Sequence, residues 1–308
     1  MLSMNQVAVI IINYNSSAFT LNCLKSIKEQ TAAGLRYQIV VVDNNSRAGD
    51  YEDLQAQVGG EKDVKIIRSI VNLGFSGGNM LGLQHAQAEY IYFLNNDCEL
   101  LNDNLSLLYQ FMKANPSAAI CIGQMFNGNR NFQHSFNHFP TLALAIFGTT
   151  FLRKLSPEKY PRKRNRYEKP IRVQSVSGSA MFIDTEKFAQ IGGFDTNYFL
   201  YCEEEDVCFN LNKQGYQAYL VPAAQFIHYM GQSTNRSFAI EREFYISLLY
   251  FHRKHHSLPE YMVLKLLYFL NNIRKVFRHK IHLKLALCIL RGAPMKYSLR
   301  HTQKLNIP

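Results

Sequence analysis

The six cysteines of this 308-residue chain are scattered and include no CxxC pair. This spacing argues against a disulfide framework and against a zinc ribbon, and it fits the reducing cytoplasm. Apolar residues make up 47% of the chain and charged residues 19%, which excludes a disordered or collagen-like protein. The first 15 residues have no basic n-region. We therefore expect them to form a first strand and not a signal peptide.

No apolar run reaches the roughly 18 residues that a membrane-spanning helix needs. The net charge of +11 lies entirely in residues 236–308, which hold 14 Lys and Arg against 3 Asp and Glu. Within this region, residues 261–270 and 281–290 combine apolar and basic side chains. They are predicted to be amphipathic helices that lie on an anionic membrane surface. Alternatively they pack on the rest of the chain or form a homodimer. A nucleic-acid partner is not expected, because binders of that kind usually interleave basic charge with glycine or polar loops.

The first half of the chain alternates apolar runs with helical periodicity. Strands are predicted at residues 7–12, 39–42, 64–67 and 90–94, and helices at 17–30, from about 79 to 88, and up to 113. Continuous apolar runs of this length suit strands that are buried on both faces of a parallel sheet. Polar clusters follow these strands, and in such sheets ligands bind at the carboxyl edge.

The second half is less regular. Residues 126–172 are aromatic and end in a basic stretch, and we expect an irregular insertion there that is either a solvated loop or a contact for an acceptor's phosphate. Regular structure should return with one strand at 173–183, interrupted by Gly178, then a helix at 203–214 and a strand at 216–221.

Several residues could carry chemistry, but each has a plain structural alternative. Asp43 and Asp97 follow strands, where an aspartate could bind a nucleoside or a divalent cation, or simply form a turn. The glycine-rich stretch 74–79 has no Walker pattern, so a P-loop is not expected. Four consecutive acids at 203–206 exceed what a helix N-terminus alone explains. His228 follows a strand and is by itself more often structural.

Taken together, these clusters resemble glycosyltransferase family 2, the inverting GT-A transferases, and within it the rhamnosyltransferase-like branch of bacterial surface-polysaccharide synthesis. The resemblance covers roughly residues 6–256. It rests on segments 9–15, 41–46, 72–79, 94–99, 176–180, 192–195 and 199–206, and on His228. It implies a mostly parallel, twisted α/β sheet flanked by helices. It divides the chain into a catalytic region at 1–235, with a nucleotide-sugar half at 1–125 and an acceptor half at 126–235, and a helical extension at 236–308.

The resemblance also implies roles for individual residues. Asp97 would be the last acid of a DxD motif and, with His228, would hold Mg²⁺ or Mn²⁺. Glu204, beside Glu203, would be the catalytic base that deprotonates the acceptor hydroxyl. Gly178 would contact the acceptor, and Asp206 would either contact the acceptor or be structural. The donor nucleotide would be bound by Asn13, Asn15, Asp43, Asn72, Gly74, Asn79 and Asn95.

In this sequence Asn95 replaces the first acid of the DxD motif, and the base is Glu where Asp is common. The implied activity is transfer of rhamnose or another hexose from a nucleotide sugar to a lipid-linked or polysaccharide acceptor. We expect the protein to act in the cytoplasm, bound peripherally to the inner face of the membrane. Two alternatives remain at this stage: a nucleotidyltransferase that makes the activated sugar, and a membrane-docked scaffold without activity.

Overall fold

The computed structural model describes residues 4–229 and 237–303. Within them, the strands are β1 (Asn5–Asn13), β2 (Tyr37–Asp43), β3 (Val64–Arg68), β4 (Ala88–Leu94), β5 (Cys98–Leu100), β6 (Ala118–Phe126), β7 (Phe136–Asn137), β8 (Ile171–Val173), β9 (Ser175–Val176), β10 (Ala180–Asp184) and β11 (Gln217–His228). The helices are α1 (Ser17–Gln30), α2 (Ala48–Val58), α3 (Gly74–Leu83), α4 (Asn104–Ala114), α5 (Leu142–Leu155), α6 (Thr185–Gln190), α7 (Glu203–Lys213), α8 (Phe238–His255), α9 (Leu258–Lys275) and α10 (Ile281–Leu290).

One mixed sheet of nine strands organises the described residues, in the order β3-β2-β1-β4-β10-β6-β11-β5, with β8 paired to β11. Strands β1 to β4 run parallel, and β6 runs parallel to β11. Strand β10 lies antiparallel between β4 and β6 and joins the two parallel groups. The polar residues that follow β1, β2 and β4 therefore meet at one edge, as the sequence predicts.

The buried core explains why the first strands were predictable. Every residue from Val7 to Ile11 in β1 is fully buried, because helices cover both faces of the sheet. Helix α1 has the predicted bounds. Helix α4 begins at its N-cap Asp103, whose carboxylate accepts from Ser106 N–H at 3.1 Å, and it ends before Pro116.

Three local predictions were wrong. Residues 126–172 are not irregular throughout, because they contain α5, whose two halves meet at Gly148 with φ of 69°. The expected strand at 173–183 is divided into β8, β9 and β10, since Ser177 N–H instead donates to Ser135 O at 2.9 Å. The helix predicted from about 79 to 88 is α3, which spans Gly74–Leu83, and β4 begins at Ala88.

The C-terminal helices pack against the preceding part of the chain. Leu248 and Phe251 of α8 share a buried cluster with Tyr198 and Cys202, and α8, α9 and α10 enclose a second small core that includes Ile289. The region boundary predicted at residue 235 lies outside the described residues. Among the helices that the structure describes, none is long and apolar enough to cross a membrane.

Gly74 allows a close contact between helix α3 and the segment at residues 199–200. Its φ is +72°, and a Cβ built on it would collide with the backbone oxygen of Phe199. Phe75 N–H donates to this same oxygen at 2.8 Å. The approach of helix α3 to residues 199–200 therefore requires a residue without a side chain.

We predict that Gly74→Ala lowers the free energy of unfolding by about 2–4 kcal/mol, because it adds a backbone collision to the strain of a positive φ. Gly192→Ala is the matched control: Gly192 has φ of +83°, but open space surrounds its Cβ position. The control should lose only about 1–2 kcal/mol. Urea unfolding measures both values, and equal losses would show that the close contact has no energetic effect.

Candidate active site

Asn13 and Asp43 form a buried network at the carboxyl edge of the sheet, where they are register partners of β1 and β2. Both side chains are fully buried. The Asn13 amide donates to Asp43 at 3.1 Å and to Asp50 at 2.8 Å, and its oxygen accepts from Thr20 Oγ1 at 2.7 Å. Arg68 also lies 3.5 Å from the Asp43 carboxylate. Asn13 and Asp43 are therefore buried beneath the carboxyl edge of the sheet, and their hydrogen bonds hold the ends of β1 and β2 together.

Asn15 and Asn44 fix the loops that leave this edge. Asn15 adopts φ of 52°, and its side-chain oxygen accepts from Arg47 N–H at 2.9 Å. Asn44 donates to Asn72 Oδ1 and to Gly74 O, both at 3.0 Å, and accepts from the N–H of residue 73 at 2.9 Å. Sequence reasoning did not assign Asn44 a role. Its position directly after Asp43 was the available signal.

A cleft of about 400 Å³ opens at the same edge. Four of the predicted donor-binding residues line it: Asn72, Gly74, Asn79 and Asn95. Asp97 and the exposed ring of Tyr14 also line it. Sequence reasoning placed Tyr14 only within a strand-end motif and gave the ring no function.

The loop after β4 is tied to its surroundings at each residue. Asn95 N–H donates to Ser179 O at 2.8 Å. Asn96, which the sequence analysis left unassigned, donates to Ser16 Oγ at 2.7 Å and to Thr20 Oγ1 at 3.0 Å. The middle residue of the motif therefore anchors the loop to α1, and all three residues, Asn95, Asn96 and Asp97, line the cleft.

His228 reaches Asp97 through strand pairing. Strand β11 lies antiparallel to β5, with His228 opposite Cys98, and His228 Nε2 lies 3.1 Å from Asp97 Oδ1. Two ligands that bind one ion at about 2.1 Å and at right angles lie roughly 3 Å apart, so this pair fits one divalent cation. The other imidazole nitrogen, Nδ1, is buried without a hydrogen-bond partner among the described residues.

Cys98 lies in the same cluster but is a poor ligand. Its sulfur is within 4.8 Å of the Asp97 and His228 ligand atoms. Burial, followed by the charge of Asp97, raises the pKa of the Cys98 thiol well above its ordinary value. Carboxylate and imidazole donors suit Mg²⁺ or Mn²⁺ better than sulfur does, so Asp97 and His228 are the preferred protein donors for these cations.

The acids at 203–206 form the first turn of α7. The chain enters this helix through Tyr201 and Cys202, both with positive φ (75° and 66°), a strained entry of a kind that is concentrated at functional sites. Glu203 is buried, and Glu204 is partly exposed beside Gly178, where a Cβ would lie 3.5 Å from the Glu204 carboxyl carbon.

Burial raises the pKa of the three glutamates in this turn. Burial, then the charge of Glu204, raises the pKa of Glu203 well above its ordinary value. Burial also raises the pKa of Glu204. One carboxylate oxygen of each residue is buried and has no hydrogen-bond partner in the part of the chain that the structure describes. An acceptor-only group in this position is suited to receiving a proton.

Asp206, the last acid of this turn, is 1% exposed. Its carboxylate accepts from Tyr198 Oη at 3.0 Å and contacts Lys254 Nζ at 2.9 Å and His255 Nε2 at 2.6 Å. These partners join α7 to α8. The structure therefore places Glu204 beside Gly178 and surrounds Asp206 with protein groups.

Gly178 connects the acids to the cleft. Gly178 is bonded to Ser179, whose carbonyl accepts from Asn95, and it lies against Glu204. Residues 178 and 179 thus connect the loop that carries Asp97 to the helix turn that carries Glu204, whereas Asn13 and Asp43 are fully buried.

This architecture is the GT-A fold of glycosyltransferases. The chain aligns with the structure of GalNAc-T7 bound to UDP, GalNAc and Mn²⁺ at a TM-score of 0.58 and 15% identity, over 80% of this chain but only 48% of that one. The mannosyltransferase PcManGT from Pyrobaculum calidifontis, in complex with GDP-Man and Mn²⁺, also gives a TM-score of 0.58, at 16% identity, over 95% of this chain and 76% of that one.

Sequence comparison then gives the family. Residues 8–192 match Glycosyl transferase family 2, and the chain belongs to this family and is a glycosyltransferase. It is 25% identical to the rhamnosyltransferase WbbL of Escherichia coli (strain K12) over 253 residues, which cover 75% of this chain and 86% of WbbL.

We predict that Glu203→Gln stabilises the protein at neutral and higher pH. The folded state holds a proton on Glu203 that the unfolded chain releases above about pH 4.5, so the free energy of unfolding of the wild type falls as pH rises above that value. The variant cannot lose this proton and should show a weaker fall. Urea unfolding between pH 5 and pH 8 measures the difference.

Glu186→Gln, which changes the exposed glutamate in the first turn of α6, is the matched control. It should leave the pH dependence of the wild type unchanged. If Glu203→Gln and Glu186→Gln behave alike, the buried acid is not protonated in the folded protein.

Proposed function

We propose that this protein is an inverting glycosyltransferase that transfers rhamnose or another hexose from a nucleotide sugar to a hydroxyl of a lipid-linked or polysaccharide acceptor in cell-surface glycan synthesis. The observation that carries the proposal is a short chain of contacts: His228 lies 3.1 Å from Asp97, Asn95 N–H in the same loop donates to Ser179 O, and the neighbouring Gly178 lies against Glu204. A pair that suits a cation and an acid that suits a proton are the two groups that such a transfer needs.

Asp97 and His228 are proposed to hold Mg²⁺ or Mn²⁺. When bound, the cation would neutralise the charge of the departing nucleoside diphosphate. The 3.1 Å spacing of the two donor atoms supports this site. Asn95, in place of an acid, contributes no charge there, so two protein ligands remain and most ligands of the cation would be water and diphosphate oxygens.

Glu204 is proposed as the catalytic base. The acceptor oxygen forms a bond to the anomeric carbon while the bond from that carbon to the diphosphate oxygen breaks, and the hydroxyl proton passes to the Glu204 carboxylate. Attack opposite the leaving group inverts the anomeric configuration. The raised pKa of Glu204 supports this role, because a base works best with a pKa near the working pH.

Glu203 would act indirectly. It is buried beside Glu204 in the first turn of α7. We propose that it remains protonated during the reaction, so that Glu204 is the group that changes its charge.

The donor nucleotide is proposed to lie along Asn72, Gly74, Asn79 and Asn95. The exposed ring of Tyr14 could stack on the nucleobase. Asn13 and Asp43, which are fully buried, would act indirectly by fixing the shape of the cleft. The solved relatives bind UDP or GDP-mannose, and a related donor is proposed here.

The acceptor is proposed to approach past Gly178, whose missing side chain leaves the Glu204 carboxylate accessible. Asp206 was predicted to be either structural or a further acceptor contact. Its enclosure by Tyr198, Lys254 and His255 supports the structural role, in which it holds α7 and α8 together.

We predict that Glu204→Gln lowers kcat roughly 100- to 10,000-fold, because the amide cannot take the acceptor proton. Calorimetry should show that Mn²⁺-dependent binding of the nucleoside diphosphate persists in this variant. Asp97→Asn should instead lose the Mn²⁺-dependent binding of the nucleoside diphosphate. Turnover assays of the wild type and of Glu204→Gln with the same donor and acceptor measure the change in kcat.

Glu205→Gln makes the same chemical change in the next residue of the same helix turn, whose carboxyl group hydrogen-bonds to Glu204. We expect it to lower kcat less than Glu204→Gln does. The matched control is Glu186→Gln in the first turn of α6, which should leave kcat unchanged. If Glu205→Gln abolishes turnover and Glu204→Gln does not, Glu205 is the base. If no nucleoside diphosphate binds the wild type, the proposal of glycosyl transfer fails.

We also propose that the protein binds the anionic inner face of the membrane peripherally. Helix α9 exposes Leu258, Met262, Leu266 and Leu270, which repeat every four residues and form one apolar stripe. Helix α5 packs against α9 and exposes a second stripe of Phe147, Phe151 and Leu155. Apolar stripes of this kind are typical of helices in a membrane interface.

The basic residues near these stripes favour an anionic membrane as their partner. Helix α5 ends in Arg153 and Lys154, and α9 ends in Arg274 and Lys275. The basic stretch that follows α5 adds further Lys and Arg. Each basic residue near an anionic surface adds about 1 kcal/mol to binding, whereas a second copy of this basic surface would be repelled.

We predict that the triple substitution Phe147→Ser, Phe151→Ser and Leu155→Ser reduces partitioning into phosphatidylglycerol-containing vesicles at least tenfold, because it removes the apolar side chains that would insert. Co-sedimentation measures the partitioning. Wild-type binding should fall as salt is raised and should be absent for phosphatidylcholine vesicles.

The control is Ile70→Ser, which removes an apolar side chain that is 73% exposed and lies outside these two helices. It should bind vesicles like the wild type. A wild type that is dimeric in solution, with a triple variant that is monomeric and binds vesicles normally, would instead assign the stripes to a homodimer.

A further inference from the structure

The last described residues of the chain return to the donor cleft. Two 3₁₀ turns, Met295–Tyr297 and Leu299–Thr302, follow α10. Leu299 and Gln303 line the same cleft as Asn95 and Asp97. We call residues 298–303 the C-terminal strap. The strap lies far outside the segments that carry the family resemblance, so its location at the cleft could not be predicted from sequence motifs.

A buried carboxylate anchors the strap. Glu243 of α8 is 1% exposed. Ser298 Oγ–H donates to one of its oxygens at 2.8 Å, and Leu299 N–H donates to the other at 2.7 Å. A carboxylate buried to this degree requires hydrogen-bond donors, and charge-assisted bonds are the strong ones. Both of these donors belong to the strap, so its position is tied to α8.

Further contacts hold the strap in shape. The Arg300 guanidinium donates to the carbonyl oxygen of Thr196 in the acceptor half. Within the strap, the Gln303 side-chain amide and Thr302 Oγ1 each donate to Leu299 O at 2.9 Å. The strap therefore has a defined conformation with anchors at both α8 and the loop near Thr196.

Helix α8 contributes to the same wall. Ile240 lies three residues before Glu243 on α8, and it also lines the cleft. The helix that holds the strap thus faces the donor cleft itself. An anchor that served the fold alone would not need to place Leu299, Gln303 and Ile240 on one cleft surface.

We propose that the C-terminal strap is a wall of the nucleotide-sugar site and that Glu243 is its positioning residue. This inference rests on the proposed function, since the occupant is the nucleotide-sugar donor. Leu299 and Gln303 are uncharged, so they suit the nucleobase or the sugar, whereas the diphosphate lies toward Asp97. The strap then contributes to donor affinity without taking part in proton transfer.

The first test is Glu243→Gln. The amide replaces one acceptor oxygen with a donor NH₂, so one of the two anchoring hydrogen bonds is lost. We expect the KM for the donor to rise about 3- to 10-fold with kcat changed less than twofold, as the loss of one hydrogen bond's contribution to positioning would give. Glu241→Gln, on the same helix but without a bond to the strap, should match the wild type.

The second test leaves the anchor intact. Gln303→Ala removes an amide that lines the cleft, and His301→Ala removes an exposed side chain of the same strap that does not line it. Calorimetry with UDP, GDP and dTDP in the presence of Mn²⁺ identifies the diphosphate that binds the wild type, and activity with the corresponding nucleotide sugar gives KM. Gln303→Ala should raise the donor KM about 3- to 10-fold, and His301→Ala should not change it.

The outcomes separate the two proposals. If Glu243→Gln lowers Tm while both Glu243→Gln and Gln303→Ala keep the wild-type donor KM, the strap is only structural and the inference is wrong. If the wild type binds none of the three diphosphates and transfers no sugar, the proposed function fails and the inference fails with it. Wild-type binding with a raised donor KM in both variants supports both.

Discussion

Strand β10 is the element on which the candidate site depends. It lies antiparallel between β4 and β6, and the Ser179 carbonyl just before it accepts from Asn95 N–H at 2.8 Å. The preceding residue, Gly178, lies against the Glu204 carboxyl group. One short segment thus fixes the distance between the loop that carries Asp97 and the helix that carries Glu204. In a displacement reaction this distance sets whether the attacking and leaving oxygens fall in line.

The acids at the start of α7 are divided between two environments. Asp206 contacts Lys254 and His255 and joins α7 to α8. Among the described residues no ion pair forms with Glu203, Glu204 or Glu205, and burial raises the pKa of each. The same helix turn therefore supplies a structural anchor and a group that can accept a proton. A raised pKa lowers the repulsion between adjacent acids, because fewer of them are charged.

Much of the first half of the fold was predictable because its signals are local. A continuous apolar run such as residues 7–12 indicates a doubly buried strand, and Asp103 and Pro116 mark the ends of α4. Helix α5 was missed because its residues expose much of their apolar surface and Gly148 interrupts it, so no buried periodic face is written in the sequence. The division of the strand at 173–183 depends on Ser135, a partner that is remote along the chain.

The sequence by itself determined the family, the strand-end motifs and the types of residue at the site, because these follow from short segments in a fixed order. Only the tertiary structure decided which side chains face the cleft. Asn13 and Asp43 became buried supports because their polar atoms are satisfied by neighbours on other strands and helices. His228 meets Asp97 through the pairing of β11 with β5, and Leu299 reaches the cleft through Glu243. Such contacts join positions far apart in the chain, and no local pattern encodes them.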